Sequence, residues 1–191
     1  GYECIAIEWV STSKYSTKER YEREFDNNGK KSYQNYLERN LIEQKLLELD
    51  SKLTQKTKVA VITGYGAQKY ILQTRVKQHF YKNLEIDVDT VDAFQGSQKD
   101  IIIYSTVRSS ANKYGIGFLK SEARINVAFS RARCLLIIVG DMNFLDNYRI
   151  RGNKFPEIIK YIKESEGCRI IEEKRDEKNS NSRGKKSFAE N

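Results

Sequence analysis

Three short runs of almost unbroken apolar residues constrain this chain more than anything else in it: residues 58–63 (KVAVIT), 101–107 (IIIYSTV) and 134–140 (CLLIIVG). Each has the length of a strand and is rich in β-branched residues. A strand with one wet face would alternate apolar and polar residues, and these do not. They therefore belong inside a sheet covered on both faces, which in α/β proteins is a parallel sheet with crossover helices. Weaker strand signals lie at residues 4–10, 84–88 and 169–171.

Helical stripes fall between the runs. Ile42, Leu46, Leu49 and Leu53 share a face of a helix expected to start near Ser32. Leu72, Val76 and Phe80 mark a second helix over residues 68–80, and Ile125, Ala128, Phe129 and Ala132 a third over residues 121–132. A late helix over residues 157–163 follows Pro156, the only proline. The pattern predicts an α/β domain, mostly a parallel sheet with helices on both faces, over residues 1–171. Within it, residues 11–31 read as a polar excursion ending in an Asn-Asn-Gly turn. Residues 172–191 are nearly free of apolar side chains and read as a tail without fixed structure.

The 191 residues suffice for one domain, and no apolar run approaches the ~20 residues that span a bilayer. The start lacks the features of a secretory leader, so the chain is expected to be a piece of a longer protein. Its net charge of +8 suits a phosphate-rich partner, and equally a lysine-rich wet surface. Cys4, Cys134 and Cys168 are far apart with no CxxC pair, which argues against a zinc site or a disulfide framework. A reducing, cytoplasmic setting is expected, with Cys134 buried at the start of its apolar run. No set of metal ligands is expected, and His79, the single histidine, is given no catalytic role.

There is no GxxxxGK[ST] loop and no acidic pair closing an apolar strand, so the chain lacks its own P-loop and is expected to be inactive alone as an ATPase. The segment SEARINVAFSRAR (residues 121–133) carries the other signal. Ser121 can cap a helix, and Arg124 and Arg131, seven residues apart, lie within ~20° of one face. Such arginines form either a solvated cationic face or guanidinium groups aimed at a phosphate held by another domain.

Three segments, in order and spacing, resemble the C-terminal motor domain of superfamily 1 helicases, in its Upf-like branch. VAVITGY (residues 59–65) resembles motif IV. TVDAFQGSQKD (residues 90–100), followed by IIIYSTVR, resembles motif V. GFL (residues 117–119) and RINVAFSRAR (residues 124–133) resemble motif VI. Ser32, Tyr33, Gln34, Asn35 and Glu38 are similar to the start of the helix before motif IV. The resemblance covers residues 32–141 and implies a RecA-like, P-loop-NTPase-type fold. It implies ATP and Mg2+, held mainly by an upstream RecA-like domain of the same chain, single-stranded DNA or RNA as partner, no membrane, and a monomer.

Residue by residue, the resemblance implies that Arg131 is the catalytic arginine finger for the ATP γ-phosphate. It implies that Gly96, Gln95 and Gln98 line the nucleotide cleft, that Arg124 supports the nucleotide-binding cleft or couples the motifs without touching ATP, and that Thr63, Tyr65 and Thr90 meet the backbone of the strand. Gln98 stands where the family usually has glutamate, and Gly64 where the branch usually has proline, which should loosen the turn. Motifs I, II and III belong to the first motor domain and are missing here. The alternative is a non-catalytic nucleic-acid-binding module, which the basic residues Arg183, Lys185 and Lys186 permit.

Overall fold

A computed structural model of the chain describes residues 6–27, 30–94, 98–110 and 115–172. In chain order its strands are β1 (Ala6–Ser11), β2 (Arg23–Asn27), β3 (Lys30–Gln34), β4 (Thr57–Thr63), β5 (Leu84–Thr90), β6 (Lys99–Ser105), β7 (Ala132–Gly140) and β8 (Arg169–Glu172). Six of them form one sheet in the order β5-β4-β6-β7-β1-β8, with every neighbouring pair parallel. The three apolar runs are β4, β6 and β7, which sit inside the sheet. The edge strand β5 alternates instead, because one row of its side chains, including Glu85 and Asp87, meets solvent.

Side chains of a strand alternate between faces, so the inner strands feed two cores. Val59, Val61, Ile101, Ile103, Ile137 and Val139 pack under α2 (Tyr36–Lys52) and α3 (Gly66–Val76), where they meet Ile42, Leu46 and Leu72. Ala60, Ile62, Ile102, Tyr104, Leu136 and Ile138 face the other way, toward α4 (Glu122–Phe129), α5 (Met142–Asn147) and α6 (Phe155–Glu164). Each fully buried aliphatic side chain contributes about 1.5–3 kcal/mol, so both faces stabilise the sheet.

The local signals needed several corrections. The helix expected from Ser32 begins at Tyr36, because residues 30–34 are taken by β3. Asn35 caps it, accepting the Glu38 N–H at 3.1 Å, while Ser32 Oγ accepts the Ala67 N–H at 3.1 Å. Helix α3 stops at Val76, and Phe80, expected on its buried face, is 89% exposed beyond it. Helix α4 is capped by Ser121 but ends at Phe129, so Arg131 lies in the turn before β7.

The excursion is built rather than loose: a short helix, α1 (Thr17–Arg20), leads into the antiparallel β2–β3 hairpin. The expected turn residues Asn28 and Gly29 lie outside the described residues, as do Cys4 and residues 173–191, although Glu172 itself ends β8. Cys134, expected to be buried, is exposed. Lys99 pairs with Ala132 but Ile101 with Leu135, so the extra residue bulges β7 around Arg133 and Cys134 and turns them out. No helix among the described residues is long and apolar enough to cross a membrane.

Candidate functional site

A parallel sheet has two unlike edges, and the candidate residues divide between them. At ~3.3 Å per residue, the seven residues of β6 separate the edges by about 20 Å.

At the amino edge, Gln98 precedes β6 and Arg131 precedes β7. The Lys99 N–H donates to the Arg131 carbonyl at 3.0 Å, which ties the two approaches together. The Arg131 Nε–H donates to the Val127 carbonyl at 3.3 Å, at the negative end of α4. Its other two nitrogens have no hydrogen-bond partner among the described residues. The neighbouring Arg133 donates from Nε to Gln98 Oε1 at 3.4 Å. Gln95 and Gly96, expected on this cleft, lie outside the described residues.

Arg124 is not at this edge. At ~1.5 Å per residue, five residues along α4 set Arg124 roughly 7 Å before the helix end at Phe129. Its guanidinium forks onto the Asp92 carboxylate at 2.9 and 3.2 Å and lies 3.9 Å from the Phe118 ring centroid. These contacts link the motif V segment, through Asp92, to the motif VI helix.

The carboxyl edge holds the strand-facing candidates, and burial separates them. Thr90 is partly exposed, and its carbonyl accepts the N–H groups of Ala93 and Phe94 at 3.1 and 2.9 Å. Thr63 is fully buried, its hydroxyl without a hydrogen-bond partner among the described residues. Tyr65 is buried too, edge-on to Tyr33 at 5.5 Å, with its hydroxyl accepting the Phe118 N–H at 3.3 Å. Both side chains are thus buried in this conformation, and Tyr65 packs against Tyr33 and Phe118. Gly64 does not loosen the turn after β4: a Cβ there would lie 2.7 Å from the Phe118 ring, so the glycine lets Phe118 pack against it.

Beneath this edge lies a buried polar network that the sequence reading missed. Glu38 accepts hydrogen bonds from Ser105 Oγ at 2.6 Å, Thr106 Oγ1 at 3.2 Å and the Val107 N–H at 2.9 Å. Burial pushes its carboxyl up to about 8 despite these bonds, and the nearby Glu22 carboxylate adds to the effect. Asn35 Nδ2 donates to the Val107 carbonyl at 3.1 Å, and Gln68 Nε2 donates to Ser105 Oγ at 3.1 Å. Held on both sides, Val107 keeps a φ of 67°, a left-handed conformation rarely open to a β-branched residue. Arg108 is fully buried against Glu22 at 3.1 Å, with its guanidinium carbon 4.1 Å from the Tyr33 ring centroid. The available signal was the polar run Ser105-Thr106 directly after an apolar strand, where a sheet edge is usually solvated.

Residues 5–143 match the profile of a family described as an AAA domain. The chain belongs to that family, as the C-terminal motor domain of an Upf-like superfamily 1 helicase. The helicase domain is 42% identical over 116 residues to the mouse protein described as probable helicase senataxin, covering 60% of this chain and 4% of that protein. It is 37% identical over 115 residues to DNA polymerase alpha-associated DNA helicase A of Saccharomyces cerevisiae, covering 60% and 16%. It is 44% identical over 106 residues to regulator of nonsense transcripts 1 of Dictyostelium discoideum, covering 53% and 8%. The chain thus matches only a small part of each of these proteins. Among solved structures, the HK97 bacteriophage large terminase shares the fold, with a TM-score of 0.50 at 11% identity over 88% of this chain and 35% of that one. The helicase domain is RecA-like.

Proposed function

We propose that this domain is the second half of an ATP-driven nucleic-acid motor, and that Arg131 is its arginine finger. One observation carries the reading: at the amino edge, beside Gln98, Arg131 is tethered through Nε alone among the described residues. In this proposal an upstream RecA-like domain of the same chain holds ATP and Mg2+. Mg2+ would supply positive charge that offsets the charge of the phosphates. Closure of the two domains brings Arg131 to the γ-phosphate, where its permanent charge and planar fork stabilise charge developing on the transferred group. Gln98 and Gln95 line the cleft through neutral amides, and Gly96 allows close approach of the phosphates.

The carboxyl edge, through Thr90, meets the sugar–phosphate backbone of a single strand of DNA or RNA. Backbone contacts position the strand without reading its sequence. Thr63 and Tyr65 serve this edge as braces. Arg124, through Phe118 and Asp92, joins the strand-facing edge to the helix that leads to Arg131. The protein works as an intracellular monomer. The relatives' names, which include a DNA helicase and a regulator of transcripts, support a nucleic-acid substrate and favour neither sugar.

The test uses the longer polypeptide that includes the upstream motor domain. Arg131→Ala lowers strand-stimulated ATP hydrolysis by roughly 10³-fold or more and leaves strand affinity within about twofold. Turnover at the unmutated rate would overturn the assignment.

A further inference from the structure

A large open groove on the domain is lined by none of the nucleotide- or strand-binding candidates named above. It has a volume of about 770 Å³ and runs between the β2–β3 hairpin and the start of α3. Phe25, Tyr36 and Tyr70 line it, with Lys31, Ser32 and Gly66. Two of the rings stand well out in solvent, Phe25 at 47% and Tyr70 at 69% exposed. Unlike a singly exposed ring such as Phe80, these rings share one groove, and apolar surface gathered in one place marks interaction sites.

The surroundings favour one kind of cover. The Arg23 and Arg39 guanidinium carbons lie 5.1 and 4.9 Å from the Tyr36 ring centroid, so cations border the aromatic surface. Among the described residues no carboxylate lines the groove, and the neighbouring Glu24 is paired with Lys31 at 2.6 Å. A Cβ at Gly66 would meet nothing within 4 Å, so the groove is open beside the start of α3, where Ser32 Oγ already accepts the Ala67 N–H. An apolar peptide would use the rings but not the cations. A free anion would use the cations but not the rings. A single-stranded nucleic acid uses both, because bases stack on aromatic faces while phosphates follow the positive charge. The place fits as well: α3 starts at the carboxyl end of β4, so the groove continues the strand-facing edge outward past the hairpin.

We propose that this groove extends the strand path, with one or two bases stacking on Tyr70 and Phe25. The inference rests on the nucleic-acid reading above and deepens it. It makes the excursion of residues 11–31 part of the strand-binding surface.

The experiment measures fluorescence anisotropy of labelled oligo-dT and oligo-U, each of about 12 nucleotides, with the longer polypeptide that includes the upstream motor domain at about 50 mM salt. Tyr70→Ala and Phe25→Ala each weaken binding by roughly five- to tenfold or more, whereas Tyr70→Phe binds as the unmutated chain does. Both positions are exposed, and far-UV circular dichroism checks that the variants remain folded. Tight binding by the unmutated chain with no change in either alanine variant overturns the groove, assigns it to another class of partner, and leaves the strand reading intact. No binding of either oligonucleotide at this salt overturns both.

Discussion

The buried Glu38 makes the stability of this domain depend on pH in a direction opposite to that of most carboxylates. Its side chain is fully buried and its carboxyl stands at about 8 in the folded chain, against the usual 4.5. Raising a folded-state pKa above the unfolded value stabilises the fold where both states are protonated. That contribution is fully present below about pH 4.5 and is lost as pH rises through about 8. At about 1.36 kcal/mol per pH unit, the loss across this window reaches at most about 5 kcal/mol. A domain of this size has a total stability of roughly 5–15 kcal/mol, so the effect is large enough to measure. Glu38→Gln removes the titration and keeps the shape. Its carbonyl oxygen can accept from Ser105 and Val107, and its amide can donate to Thr106. Urea unfolding, followed by the fluorescence of the single buried Trp9, checks this from pH 5 to 8.5. At pH 5 the variant lies within about 1 kcal/mol of the unmutated chain, since one neutral hydrogen-bonding group replaces another. By pH 8 it is the more stable of the two, by up to several kcal/mol. Parallel loss of stability in the two proteins between pH 5 and 8 would refute the reasoning, because it would mean that Glu38 is already ionised at the lower end.

Two other substitutions probe the same edge. Arg108→Ala leaves the buried Glu22 carboxylate without its cation and destabilises the fold by about 3–5 kcal/mol in urea unfolding. Adding Glu22→Gln to an Arg108→Met change recovers most of that loss, and failure to recover would show that the pair is not the cause. Gly140→Ala places a Cβ 1.9 Å from Thr106 Oγ1 inside the core, so its urea midpoint falls by the equivalent of about 1–3 kcal/mol; an unchanged midpoint would mean that the edge is looser than its packing indicates.

The legible part of the site was the part written locally. RINVAFSRAR read as a helix to Ala132 with Arg133 at the junction with the next strand; the helix is there, but it ends at Phe129, so Arg131 already lies in the turn before β7. The hairpin was harder to read. Residues 23–34 carry many charges, and their strands pair with each other outside the main sheet, so no apolar alternation marks them. The position of Arg124 was hidden as well. Spacing set its angle around the helix, but not Asp92, its partner 32 residues away.

Local pattern alone determined that β4, β6 and β7 lie inside a parallel sheet, because a strand buried on both faces has to be apolar at every step. The order and wording of the three motifs determined the family. Only the tertiary structure decided which candidates are reachable. Thr63 is buried, Tyr65 is packed against Tyr33 and Phe118, Cys134 is turned out by a bulge, and Glu38 is joined to Val107 across 69 residues. The reason is physical. Periodicity encodes which face of an element is buried, whereas solvent access at the end of a strand is set by whichever distant segments the crossovers bring over it.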